Sequence, residues 1–237
     1  MKILSIIVYT MLAFAAPGMW QAQLAEPTDH VVAKPPLDAR VERFDITGGI
    51  VRDGISELSL KNVASLHLGF EELIRRKIQD DPRPESPHFS VHLQNKTVRE
   101  VLDEICSSDP RYAWSEEGVS VNIYPRATTG DSSYLLNLRI DKIIVNGIPD
   151  PDQALTPLSK LFPEQQVGYA GSGLGENTYA EPWTAVFDHL TVRQFIDRIA
   201  EHMGPRTSWV WQGGKNERMF TFLKGGFHTQ RSELSRP

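Results

Sequence analysis

The sequence predicts an α+β protein made of two tandem β-α-β-β-α-β-β modules, with helices on one face of each small mixed sheet. Three observations carry this. A helical segment is written twice, as "NKTVREVLDEI" (95–105) and "HLTVRQFIDRI" (189–199). Each copy is followed by an aromatic strand pair, and each is preceded by a strand, a helix and two more strands in the same order.

The repeated segment is the firmest element. Thr97–Ile105 and Thr191–Ile199 share Thr, Val, Arg, Asp and Ile at matched positions. Val98, Val101, Leu102 and Ile105 fall at i, i+3, i+4 and i+7, as do Val192, Phe195, Ile196 and Ile199, which is one face of a helix. Thr97 stands three before Glu100, and Thr191 three before Gln194. Each pair predicts a capping box, in which the hydroxyl accepts a first-turn N–H and the longer side chain reaches back.

The other elements follow in order. "RFDITGG" reads as a strand, and Val51, Ile55 and Leu58 as one face of a helix. "SLHLGF" and "HFSVHL" are apolar strands before the first repeated helix, and "YAWSEEGVSVNIY" is a strand pair after it. In the second copy "YLLNLRIDKIIVNG" is a strand, and Ala154, Leu155, Leu158 and Leu161 mark a helix that Pro157 interrupts or restarts. "QQVGYAG" and "TAVFDHL" are strands, and Gly213-Gly214 and Asn216 turn a Trp-bearing hairpin.

The flanks define the organisation. Lys2 and the apolar run 3–16 predict a secretory signal over 1–25, since a spanning helix needs about 20 apolar residues. Residues 26–42, with Pro27, Pro35 and Pro36, read as an extended tether. The modules occupy 43–126 and 134–224, joined by a linker over 127–133, and 225–237 form a mobile tail. After cleavage no membrane span is expected. A net charge of −5 argues against nucleic-acid binding. Cys106 is the single cysteine, so no internal disulfide forms, and it reads as a small buried apolar residue.

Residues 43–125 resemble the short domain at the N-terminus of secretins and of TonB-dependent outer-membrane receptors. The matching stretches are "FDITGGIVRDGISELS", "LHLGFEEL", "KTVREVLDEI" and "RYAWSEEGVSVNIY", in the family's order and interrupted by a charged insertion at 75–87. Residues 134–224 are similar to it chiefly through "LTVRQFIDRI" and the Trp-bearing hairpin. The resemblance implies a non-catalytic periplasmic interaction module that docks to a protein partner in the cell envelope, at the inner or outer membrane. The competing expectation is a small-ligand or glycan-binding protein, or a weak enzyme, with its site in the cleft between the copies.

Chemistry-bearing patterns are sparse, and no cofactor, metal or catalytic residue is expected. His88 and His92 share a strand face about 13 Å apart, too far to hold one metal, and His67 lies on another strand. The Gly-rich "GYAGSGLGENTY" (168–179) lacks the ending of a phosphate loop. Asp152 reads as a helix N-cap rather than a calcium ligand. Arg99 and Asp103 recur as Arg193 and Asp197, spaced for an i, i+4 ion pair or a docking contact. Trp114 and Trp209 are expected to cover the repeated helices, while Trp183 and Trp211 are candidate interaction aromatics.

Overall fold

The computed structural model describes residues 35–61, 63, 66–73, 86–148, 151–165, 167–169, 183–213 and 218–223. The fold is α+β. Its first half runs β1 (Arg40–Gly49), α1 (Val51–Leu60), β2 (His67–Glu72), β3 (Phe89–Thr97), α2 (Val98–Ser108), β4 (Tyr112–Glu117) and β5 (Ser120–Pro125). The second half has the same order of elements: β6 (Arg139–Ile148), α3 (Pro151–Leu161), β7 (Gly168–Tyr169), β8 (Trp183–Thr191), α4 (Val192–His202), β9 (Ser208–Gly213) and β10 (Arg218–Leu223).

Each half opens on a two-stranded antiparallel ladder, and the two ladders share a register. Arg40 faces Thr97 and Phe44 faces Leu93, as Arg139 faces Thr191 and Ile143 faces Phe187. Both slip at the same place, between Ile46 and Gly49 and between Val145 and Ile148. Asn95 (φ 53°) and His189 (φ 52°), each two residues before the cap threonine, take the left-handed conformation that L-residues adopt rarely.

The helices then start alike. Thr97 Oγ1 accepts the Glu100 N–H while the Glu100 carboxylate accepts the Thr97 N–H at 2.8 Å. Thr191 and Gln194 do the same. The Val98 N–H donates to Ala39, and the Val192 N–H to Leu138, so the residue just before each ladder satisfies another orphan donor of the first turn.

The two expected sheets are a single one. Strands β4-β5-β2-β9-β10-β7 form one mixed six-stranded sheet, in which β2 of the first half pairs in parallel with β9 of the second. Side chains alternate across a sheet. Leu68, Phe70, Val121, Ile123 and Val210 fall in a core with β1, β3, α1 and α2. Trp209, Trp211, Phe220 and Phe222 fall in a second core with β6, β8, α3 and α4. Phe70 lies beside Val210 and Gly69 beside Trp209, so the two cores occupy opposite faces of the shared sheet. The sheet as a whole therefore carries helices on both faces, two from each half.

Local expectations change in four places. Pro157 lies inside α3 without ending it. The loss of one backbone bond is offset by burying Ala154, Leu155 and Leu158 against the second core. Leu135–Asn137 form a 3-10 turn rather than the start of the strand, with Leu135 and Leu136 both buried. Asp152 is the second residue of α3, inside the helix and not before it. The tether ends early: Leu37 is buried in the first core, its carbonyl accepts the Arg99 N–H, and β1 begins at Arg40. The signal segment, the insertion core 74–85 and the tail lie outside the described residues. Cys106 is buried, and burial pushes its thiol up to about 12.

Candidate interaction site

The junction between the halves is built by α4 reaching across the back of β2 and β5. Gly69 makes this possible. A Cβ there would stand 2.4 Å from the Trp209 ring and 2.1 Å from Asn122 Oδ1, so only glycine lets the indole lie against the strand. Trp209 Nε1 donates to Asp197 Oδ1 at 2.8 Å, and Asn122 Nδ2 donates to Asp197 Oδ2 at 2.8 Å. Asp197 is buried, and desolvation outweighs these hydrogen bonds to push its carboxyl up to about 7.

One turn earlier on α4, Arg193 Nε stands 2.6 Å from Glu71 Oε1. The Glu71 side chain is wholly buried and that of Arg193 nearly so. Burial raises the Glu71 carboxyl despite the guanidinium beside it. For Arg193 burial works the other way, but the carboxylate overcomes it and the guanidinium is held above its usual value. Its other arm donates to Asn137 Oδ1 at 3.1 Å, and the group lies over the Tyr124 ring, 5.3 Å from the centroid. His67 Nδ1 with Thr207 O, and Gln212 Nε2 donating to Glu72, close the rest of the seam.

The first half repeats the inner part of this arrangement on its surface. Trp114 Nε1 donates to Asp103 Oδ1 at 2.8 Å, and the Arg99 guanidinium lies 5.5 Å from the Trp114 ring centroid. Arg99 also reaches Glu116, at 3.9 Å. Trp114 faces Ile123 across the hairpin as Trp209 faces Phe222. Here Arg99 and Asp103 are exposed, and β4 is the last strand of the sheet among the described residues.

The i, i+4 pairing of Arg99 with Asp103 and of Arg193 with Asp197 does not form. Each arginine takes a glutamate on a strand, and each aspartate takes an indole N–H, because the strand pair packed against the helix offers closer partners. Trp209 is core. Trp114 is only partly buried and packs at the edge of the first core. Trp211 is buried against Phe220, centroids 4.5 Å apart, and offers no surface to a partner. Trp183 is partly buried against the second core and stacked on His202 with centroids 4.1 Å apart.

The remaining patterns are accounted for locally. His88 Nδ1 meets the Gly48 carbonyl, and His92 Nδ1 meets Asp45 Oδ1 at 3.0 Å. The Gly-rich stretch beyond Tyr169 lies outside the described residues. A groove of about 260 Å³ opens beside the junction, walled by Glu117, Tyr124, Thr128, Asn137 and Arg193.

Gly69, Glu71 and Asn122 are among the junction residues that sequence reasoning missed. A signal existed: in "LHLGFEEL" the alternation puts His67, Gly69 and Glu71 on the face opposite Leu66, Leu68 and Phe70, leaving a carboxylate and a gap on one side. The pair Ile144 and Val186 was missed too. They face each other across β6 and β8, each more than half exposed, where the first half has Asp45 and His92. No family model, no curated protein and no solved structure matches the chain. Among the described residues no helix is long and apolar enough to cross a membrane.

Proposed function

We propose that the chain is a non-catalytic periplasmic interaction module, an adaptor built from two copies of a secretin/TonB-type short N-terminal domain, which docks to a protein of the cell envelope. The duplication is supported by the shared ladder register, the paired capping boxes and the two Trp–Asp hydrogen bonds. One observation carries the adaptor reading: the seam between the halves is closed by strand pairing and the Arg193–Glu71 ion pair, while the β4 edge of the same sheet has no neighbour among the described residues. An open strand edge is a template for strand addition by a partner.

A small-ligand or glycan-binding role has the groove beside Tyr124 and Arg193 in its favour. Two facts weigh against it. The Arg193 charge is already engaged by Glu71, and both Trp183 and Trp211 pack into the second core instead of lining the groove.

In-cell photocrosslinking tests the reading. A crosslinker at Ser115 or Glu116 on β4 is expected to capture one defined envelope protein, and the same probe at Asp141 on β6 is not. Equal capture from both positions, or saturable binding of a sugar that Tyr124→Ala abolishes, overturns it.

A further inference from the structure

We propose that the outer edge of β4, with Arg99, Asp103 and Trp114, is a docking site for one extended strand of a partner protein, added parallel to β4 and carrying a Gly-x-acid triplet. This rests on the adaptor reading and names its site and its ligand.

The argument is internal to the molecule. In the second half the same constellation is occupied, and its occupant is visible. β2 lies parallel to β9 with Gly69 beside Trp209 and Glu71 beside Trp211. The indole fills the space that Gly69 leaves, and the carboxylate two residues on meets Arg193. Three parts of that receptor recur on the first half: indole, aspartate and arginine stand in the same order, with the same 2.8 Å indole bond to the aspartate, while Glu116 stands where β9 has Trp211.

The hairpin also presents the right backbone. The Arg126 N–H donates to the Arg111 carbonyl, which marks that pair as hydrogen-bonded. By the alternation of an antiparallel ladder, Ala113 and Ser115 also bond inward, so the N–H and C=O of Trp114 and Glu116 point to the outer edge, which has no strand partner among the described residues. On β9 the residues at these two places are Trp209 and Trp211, and both lie against β2.

The charge on the edge selects the strand. Arg99 is held by Glu116 only at 3.9 Å and is about half exposed, so an incoming carboxylate has a cation to meet. A second copy of this chain is a poor source. Gly69-Phe70-Glu71 is the only Gly-x-acid triplet in the sequence, and it already serves β9. The occupant is therefore a different protein.

The test uses the full mature chain and a synthetic peptide with the sequence of residues 66–73, LHLGFEEL, as a surrogate strand. Amide and indole N–H resonances are followed by NMR. Saturable shifts are expected at the Trp114 indole and the 112–117 amides, with the Trp209 and Trp211 indoles unmoved. Replacing the peptide glycine by alanine is expected to weaken binding at least tenfold. Arg99→Glu is expected to weaken it as well, and a peptide with lysine in place of the glutamate two residues after the glycine is expected to restore it. Shifts at Trp209 instead of Trp114, equal binding of the alanine peptide, or no shift at millimolar peptide on a folded protein would each overturn the proposal. So would self-association that Trp114→Ala abolishes, since the occupant would then be a second copy. If the peptide fails while photocrosslinking from β4 still captures one partner, the adaptor reading stands and only the strand chemistry falls.

Discussion

Arg193 on α4 and Glu71 on β2 form an ion pair 2.6 Å long, almost wholly removed from water, between the two halves of one chain. Among the described residues neither has another oppositely charged partner as close, and the two cores lie on either side of the shared sheet.

Removing one member leaves a buried charge without compensation. Arg193→Ala is expected to destabilise the fold by about 3–5 kcal/mol in denaturant unfolding. Replacing both residues with methionine removes the charge along with its partner and is expected to recover most of that loss. A double variant as unstable as the single one would show that the pair acts through shape and not through charge.

Gly69 is the close-approach point of the junction. Gly69→Ala places a methyl group against the Trp209 ring and Asn122 Oδ1, both under 3 Å from the new carbon. Overpacking of this kind costs about 1–3 kcal/mol. Calorimetry is expected to show a lowered Tm, and hydrogen exchange is expected to show faster opening of β2 and β9 than of β1 and β3. Unchanged exchange at the β2–β9 ladder would separate the glycine from the seam.

Asp197 makes stability depend on pH. Its carboxyl is raised from 3.8 to about 7 by burial, with Asn122, Trp209, Ser120 and Glu117 around it. The folded state then holds a proton that the unfolded chain has released. Stability from this group is therefore fully present below about pH 4 and is lost as pH rises through about 7, up to roughly 4 kcal/mol in all. Asp197→Asn, with the Asn122 amide reversed to accept, is expected to flatten the decline between pH 4 and 7. The measurement is ΔG of unfolding against pH for both proteins, and parallel curves would refute the assignment.

Ile144 and Val186 form an exposed apolar cross-strand pair where the first half has Asp45 and His92. Replacing them with Asp and His, the residues of the matching pair, touches no core contact. The change in stability is expected to stay within about 0.5 kcal/mol, as for most surface substitutions. A larger loss would place this pair in the structural core of its ladder.

Much of the local structure was legible because it is encoded locally. Thr97 with Glu100, and Thr191 with Gln194, announce helix starts, and the 3.6-residue spacing of Val98 to Ile105 announces which face is buried. The partners of Arg99, Asp103, Arg193 and Asp197 were not legible. At i, i+4 the sequence offers each arginine an aspartate, and the strands packed against the helices offer better ones. The exposure of three tryptophans was likewise decided by tertiary neighbours: Trp211 by Phe220 across a hairpin, Trp183 by His202 and Trp114 by a sheet edge.

By itself the sequence determined the elements, their order and the α+β class, since caps, periodicity and turn residues act over a few positions of the chain. Tertiary structure alone decided that β2 lies along β9, and with it that one half keeps its Arg–Asp–Trp set buried while the other presents it. Strand pairing satisfies backbone groups that every residue carries, so the side-chain pattern does not announce which edges will meet. Only packing, here the indole of Trp209 finding the gap at Gly69, selects among them.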